Sequence, residues 1–518
     1  MLRASRTPSS GSSRVCQILS RVKTKYACSR DNKQNITNFM KVLHVSAECY
    51  PAAKAGGLGD VAGALPKYLT ASNCPAAVIL PKYKTKWIVA QQWKEVFKGD
   101  FLLWKTSISF SIQKLEGGAL DFPLYVADIP GKYDRPSVYL DENGKGFEDE
   151  VERSLCFQQA TLNWVAQLAD LPQVIHCHDH HTGLVPFMMK HCPDFNRLAK
   201  IPSVFTIHNA EYHGTFGWER AQNLPLFDGR IVGILDWDRA INPLATAIKC
   251  AWRLTTVSPT YMKELQLSSG NLSPLLKQEH TKSKGILNGI DVQVWNPKTD
   301  QLIAENLKQS LKTIKAKNKK SLKTKFTIQN KLPLITFIGR LAGEKGAGIL
   351  APMIEQFLAQ GHKANFIILG TGEPLIHFRL KLLAKKYPAF VNVALEYNEQ
   401  LAHQLYAGSD FLIMPSRVEP CGLNQMYSMR YGTIPIVRAV GGLKDTVTDI
   451  GEPNGRGIQF THLVVDDATN ALARAVTLYK NKKAFETVRT SITQVDFSWE
   501  NSAKQYIDLY DSLIALTN

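Results

Sequence analysis

Arg417-Val418-Glu419-Pro420-Cys421-Gly422-Leu423-Asn424-Gln425 separates an apolar, strand-like run ending at Met414 from a helix-like run, and a glycine pair, Gly441-Gly442, follows it. A loop that ends a strand and opens onto a helix turns free backbone N–H groups and the positive end of the helix dipole toward an anion. A carboxylate in such a loop repels a phosphate. Glu419 fits there if it faces the sugar of a sugar phosphate while the backbone and nearby cations take the charged end.

The same strand-then-loop unit recurs on both sides of this stretch. Residues 333–339, 364–369, 391–395, 410–414 and 434–438 read as buried strands, and so do 42–47, 77–80, 124–127, 173–178 and 203–208 earlier in the chain. Helix-like segments such as 60–70 and 151–169 lie between them. This alternation predicts an α/β protein with parallel sheets covered by helices on both faces. Two such sets give two Rossmann-like, doubly wound domains, at 40–285 and 286–490, joined near Leu287-Asn288-Gly289-Ile290-Asp291. The tail, 491–518, carries Ala503, Tyr506, Ile507, Tyr510 and Leu513 at helical spacing and reads as a packing helix that bridges the domains. The lysine-rich stretch 308–325, with Lys312, Lys315, Lys319, Lys320 and Lys323, reads as the solvated face of a helix. Ligands of open α/β sheets bind outside the carboxyl ends of the strands. Two domains facing one another therefore predict a deep cleft, with a donor nucleotide on one side and an acceptor on the other.

Composition agrees. A chain of 518 residues is too long for one core, at about 150 residues per domain. No apolar run approaches the roughly 18 residues that span a bilayer, which argues against a membrane partner. The nine cysteines are scattered, odd in number and without a CxxC pair, which points to reduced thiols rather than a disulfide frame. Of the net charge of +17, +7 sits in residues 1–39 and +10 in the rest. No nucleic-acid-binding motif accompanies it, so phosphate-bearing substrates or a plain basic surface explain it better than nucleic acid. Residues 1–39 are rich in Ser and Arg and lack a long apolar core. They read either as an organelle transit peptide or as the product of an upstream start codon, with Met40 as the natural start.

Three further stretches carry chemistry. After the first strand, Lys54-Ala55-Gly56-Gly57-Leu58-Gly59-Asp60-Val61 lets backbone approach an oxygen-rich ligand, with Lys54 able to neutralise phosphate and Asp60 able to cap the following helix. After the first strand of the second half, Arg340 and Lys345 stand five residues apart across a turn, where both can converge on one diphosphate. The plain alternative is a surface loop with a local Glu344–Lys345 pair. The run His176-Cys177-His178-Asp179-His180-His181 lacks a partner cluster of the usual metal-binding form. It reads as sugar-site lining or as a satisfied core histidine, and no metal is expected. His208-Asn209 ends another strand, where a His-Asn pair suits sugar hydroxyls. Cys421 reads as a small packing residue.

Assembled in order, KxGGLGDV at 54–61, HDHHTGLVP at 178–186, HNAEYHG at 208–214, LNGID at 287–291, GRLAGEKG at 339–346 and EPCGLNQ at 419–425 resemble the bacterial glycogen synthase and plant starch synthase family, over essentially all of 40–518. The resemblance implies the GT-B fold and transfer of glucose from ADP-glucose to the 4-OH at the non-reducing end of an α-1,4-glucan, with retention, release of ADP and no cofactor. It implies catalytic roles for Glu419 beside the glucose, Arg340 and Lys345 on the diphosphate, and His208 facing the sugar. Lys54, Gly56, Gly57, Asp60, Asn288, Gly422, Leu423 and Asn424 would bind the nucleotide sugar, and Glu48, His178, Asp179 and Gln425 would line the acceptor cleft. It also implies a cytoplasmic bacterial enzyme, or a plastid one if 1–39 is a transit peptide. The family usually has Thr at Ala55 and often at Asn424. Broader GT-B relatives carry a second glutamate at the place of Tyr427, which favours the synthase branch. The rivals are a UDP-glucose transferase, a silent glucan-binding scaffold and a phosphorylase using pyridoxal phosphate.

Overall fold

In the computed structural model, the structure describes residues 40–517; the expected transit segment or upstream extension at 1–39 lies outside the described residues. The strands are β1 (Val42–Val45), β2 (Ala76–Pro81), β3 (Trp93–Leu103), β4 (Thr106–Leu115), β5 (Leu124–Asp128), β6 (Val174–His178), β7 (Ser203–Ile207), β8 (Asp236–Trp237), β9 (Ala240–Ile241), β10 (Arg253–Thr256), β11 (Ser283–Gly285), β12 (Leu334–Ile338), β13 (Asn365–Leu369), β14 (Val391–Ala394), β15 (Phe411–Met414), β16 (Ile434–Arg438) and β17 (Ile458–Phe460). They form a nine-stranded sheet in the order β11-β10-β7-β6-β1-β2-β5-β4-β3 and a six-stranded sheet in the order β14-β13-β12-β15-β16-β17, with β8 and β9 as a separate ribbon. The second sheet is parallel throughout.

All ten expected strands are present, and most are covered on both faces and therefore apolar along their length. VLHV, AAVILP, VIHCH and SVFTI are buried at every position. The hairpin β3–β4 was not expected. It adds antiparallel strands to the edge of the first sheet. Much of β3 faces solvent, so no apolar run marks it. Strand order reverses beside β1 and beside β12, and at such switch points the loops diverge and leave a crevice. The loops after β1, β6 and β7 on one lobe, and after β12, β15 and β16 on the other, are the ones that build the site.

The C-terminal helix, Trp499–Ile514, returns to the first lobe. Trp499, Ala503, Tyr506, Tyr510 and Leu513 share a core with Val42, Val61, Leu65 and Leu69. Its Tyr510 hydroxyl lies 2.7 Å from Nδ1 of His176, whose Nε2 lies 2.6 Å from the Thr206 hydroxyl. On the same sheet, His44 Nδ1 meets His178 Nε2 at 3.0 Å, and His178 Nδ1 meets His208 Nε2 at 3.0 Å. His178 is thus a wholly buried link behind His208 rather than cleft lining.

The lysine-rich helix, Leu311–Leu322, corrects a second expectation. Lys312 and Lys320 are exposed. Lys315, however, is buried, with its ammonium on the Tyr406 carbonyl at 3.0 Å and the Thr433 hydroxyl at 2.5 Å. Lys319 pairs at 2.7 Å with Asp410, which also takes Arg489 at 2.6 Å. These cations fasten the helix to the second sheet. The described cysteines are all buried and free.

Burial holds His44 and His208 down to about 3 and His176 well below its usual value. All three are neutral in the folded protein, while in the unfolded chain they bind protons below about 6.5. The unfolded state then holds more protons, so stability falls as pH drops below about 6.5, by at most ~1.4 kcal/mol per pH unit for each group. The urea midpoint is expected to fall steadily below that pH, and less steeply for His44→Asn; a midpoint that ignores pH there contradicts the neutral cluster.

Candidate active site

Three loops of the second lobe meet backbone to backbone. Gly346 is left-handed (φ 65°), and a Cβ there would lie 1.8 Å from the Pro415 carbonyl oxygen. Gly441 (φ 44°) would place a Cβ 2.0 Å from the carbonyl oxygen of Glu419. The N–H groups of Arg417 and Val418 donate to the Glu344 carbonyl at 2.8 and 3.2 Å, and that of Gly442 donates to the Glu419 carbonyl at 3.1 Å. Only glycine permits this closeness, and the result is a rigid cradle at the carboxyl edge of the sheet.

Glu419 is set inside it, 5% exposed. Lys345 Nζ lies 2.7 and 2.8 Å from its two carboxylate oxygens, and the Ser416 hydroxyl donates to one of them at 2.9 Å. Arg340 pairs with Glu344, and its side chain is 68% exposed. The local pair in this loop is therefore Arg340–Glu344, not Glu344–Lys345. Asn424 braces the loop by donating to the Ile338 carbonyl at 2.7 Å. Gly422 turns the chain (φ 72°), and Leu423 packs against the core of the first lobe. Gln425 does not line the cleft. It is wholly buried and donates to the carbonyls of Cys421 and Gly422, at 3.2 and 2.9 Å, and to Thr446 at 3.1 Å. Burial pushes the Cys421 thiol up to about 12, which suits a packing residue.

On the first lobe, Glu48 is also a brace. One oxygen accepts from the N–H groups of Ala55 and Gly56, at 2.6 and 2.8 Å, and the other accepts from Tyr139 at 2.7 Å. This shapes the glycine loop and leaves Lys54, Gly56 and Gly57 exposed. Asp60 does not cap the Gly57–Ala71 helix. Gly56 holds the cap position, and Asp60 lies in the first turn, paired with Lys54 at 2.6 Å. Asp179, with φ 55°, follows β6 and accepts from the backbone of His208 at 2.7 Å and of Asn209 at 3.4 Å. Burial pushes its carboxyl up to about 7, against the pull of those bonds. His208 itself is 8% exposed.

The two lobes meet along the same loops. Ser258 donates to the Pro420 carbonyl at 2.6 Å, Asp445 accepts from the N–H and hydroxyl of Thr260 at 2.8 and 2.7 Å, and the Gly441 N–H donates to Glu264 at 2.9 Å. Arg417 reaches Glu211 of the first lobe at 3.3 Å. Burial, and then the charge of Asp60, raise the Tyr427 hydroxyl well above its usual range. Asn288 is buried in the segment that joins the two sheets. It lines a cavity of about 620 Å³ with Leu287, Asp445, Arg456 and Phe497, which includes none of the charged groups around Glu419.

Sequence reasoning missed Ser416, Tyr139 and Glu211, which are set by tertiary contact. Replacing Gly441 by Ala is expected to cost about 1–3 kcal/mol of stability through strain at Glu419, together with most activity; denaturation and turnover equal to the parent would contradict the cradle.

Residues 41–278 match the family model of the starch synthase catalytic domain, and residues 318–487 that of the glycosyl transferases group 1. The chain is 44% identical over 478 residues to a glycogen synthase of Flavobacterium johnsoniae, covering 92% of this chain and 99% of that one. It is 34% identical over 489 residues to a glycogen synthase of Geobacillus stearothermophilus, covering 92% and 98%. Among solved structures, the catalytic domain of starch synthase IV from Arabidopsis thaliana, bound to ADP and acarbose, matches with a TM-score of 0.80 and 30% identity over 92% of this chain and all of that one. A sucrose-phosphate synthase from Thermosynechococcus elongatus shares the fold alone (TM-score 0.57, 17% identity). The two facing Rossmann-like lobes and their cleft define a GT-B glycosyltransferase. Within that class the chain belongs to the glycogen and starch synthase family, the retaining glucosyltransferases that lengthen α-1,4-glucans.

Proposed function

We propose that the donor is ADP-glucose, bound by the second lobe, and that the acceptor is the non-reducing end of an α-1,4-glucan, presented by the first. The observation that supports this most is the Lys345–Glu419 pair, five residues from Arg340 at the carboxyl end of β12. A diphosphate draws Lys345 and Arg340 toward its oxygens. Glu419 is then released from its cation to face the glucose, where it stabilises the positive charge that develops at C1. The bond from C1 to the phosphate oxygen breaks and ADP leaves with the electron pair, its charge held by Arg340 and Lys345. The acceptor 4-OH bonds to C1 on the face that ADP vacates, which retains configuration, and its proton passes to the departing phosphate. His208, neutral and backed by His178, serves as a hydrogen-bonding partner of the sugar rather than a proton carrier. Lys54, freed from Asp60, adds positive charge. The ADP in the similar starch synthase IV supports adenine over uracil. Its bacterial relatives favour the cytoplasm over the plastid.

Radiolabelled ADP-glucose with a glycogen primer tests the assignment, with label expected in glucan; faster transfer from UDP-glucose would overturn the donor. Glu419→Ala is expected to lower kcat at least 100-fold while ADP still binds, and unchanged turnover would remove it from the reaction. Arg340→Ala and Lys345→Ala are each expected to lose about 2–4 kcal/mol of transition-state stabilisation; losses under threefold in kcat/KM would reject them as diphosphate clamps.

A further inference from the structure

We propose that Glu150, His180 and His181 form a binding site for a divalent cation of the class that imidazole and carboxylate share, Zn2+ above all. The sequence offered only adjacent histidines, and no metal was expected. The fold supplies the missing carboxylate: Glu150 opens the helix Glu150–Val165 and faces the short turn His180–Thr182 that follows β6. One oxygen of Glu150 lies 3.6 Å from His181 Nε2 and 3.9 Å from His180 Nε2. These separations exceed a good hydrogen bond, which ends at about 3.2 Å. They approach the edge of a tetrahedron with ligand bonds of about 2.0–2.1 Å, roughly 3.4 Å. One potential ligand atom from each residue lies within 4.8 Å of the others.

Polar accounting points the same way. His181 Nε2, the ring nitrogen that faces Glu150, is buried and has no hydrogen-bond partner among the described residues. Buried imidazole nitrogens are costly to leave so. A small cavity of about 10 Å³, lined by Glu150, His181, Ser154, Tyr139 and also Arg153, leaves space for one water beside the carboxylate. The Glu150 side chain is 47% exposed, which gives an ion a path in. The His44, His176 and His178 cluster has no such path. It is wholly buried, His176 uses both nitrogens on Tyr510 and Thr206, and His44 and His178 bond each other. Occupancy would tie the first turn of the helix to the loop whose Asp179 holds the backbone of His208.

The test uses the full chain, freed of metal with a chelator and titrated with Co2+ as a visible stand-in for Zn2+. The expected result is one equivalent bound with the strong d–d absorption of four-coordinate Co2+, displaced by Zn2+. Glu150→Gln and His181→Gln, with folding checked by circular dichroism, are expected to weaken binding at least tenfold. His462→Asn, on the exposed surface, is expected to leave it unchanged. Absence of stoichiometric uptake, or uptake that survives Glu150→Gln at parental affinity, overturns the site.

Discussion

The ion pair between Lys345 and Glu419 is the interaction on which the rest of the site depends. Both carboxylate oxygens lie within 2.8 Å of one ammonium, in a place where Glu419 is almost wholly shielded from water. A carboxylate buried this far is tolerated only with a cation and hydrogen bonds beside it, and Lys345 and Ser416 supply them. The same burial makes Glu419 useful. Charges act strongly where water is excluded, so an acid placed against a glucose ring stabilises an oxocarbenium-like centre far more than it would at a surface.

The loops that hold the pair also hold the lobes together. Pro420, Gly441 and Asp445, within and beside the cradle, receive Ser258, Glu264 and Thr260 from the helix Pro259–Ser268 and its cap. Glu419 is thus the chain neighbour of Pro420, whose carbonyl takes a hydrogen bond across the inter-lobe seam. Any change in the angle between the lobes bears on the loop that carries Glu419. Lys54 with Asp60, and Arg340 with Glu344, follow the same economy. Each cation expected to meet phosphate keeps a carboxylate close by, so each is already paired before a diphosphate reaches it.

Much of this was legible in the sequence. Both sheets announced themselves because strands buried on both faces are apolar throughout, and Arg340, Lys345 and Glu419 stood out because they follow strand ends. What was not legible was direction and long-range partnership. Nothing near Gln425 says that its amide turns inward to the carbonyls of Cys421 and Gly422. Nothing near His178 shows that it stands behind His208, 30 residues away. Lys345 and Glu419 are 74 residues apart, and only the fold shows that they hold one another. Lys315 sits among lysines that face water, yet a helical period places it over the Tyr406 carbonyl. The half-exposed β3–β4 hairpin escaped for the opposite reason, since its strands lack an apolar run.

Acid and diphosphate compete for one lysine in the proposed reaction. Calorimetric titration of ADP into the parent and into Glu419→Gln measures this competition directly. If the diphosphate must take Lys345 from Glu419, removing the carboxylate charge tightens ADP binding while turnover collapses. Equal or weaker ADP affinity in the variant would show that Lys345 is not exchanged between the acid and the nucleotide, and the central claim would fall.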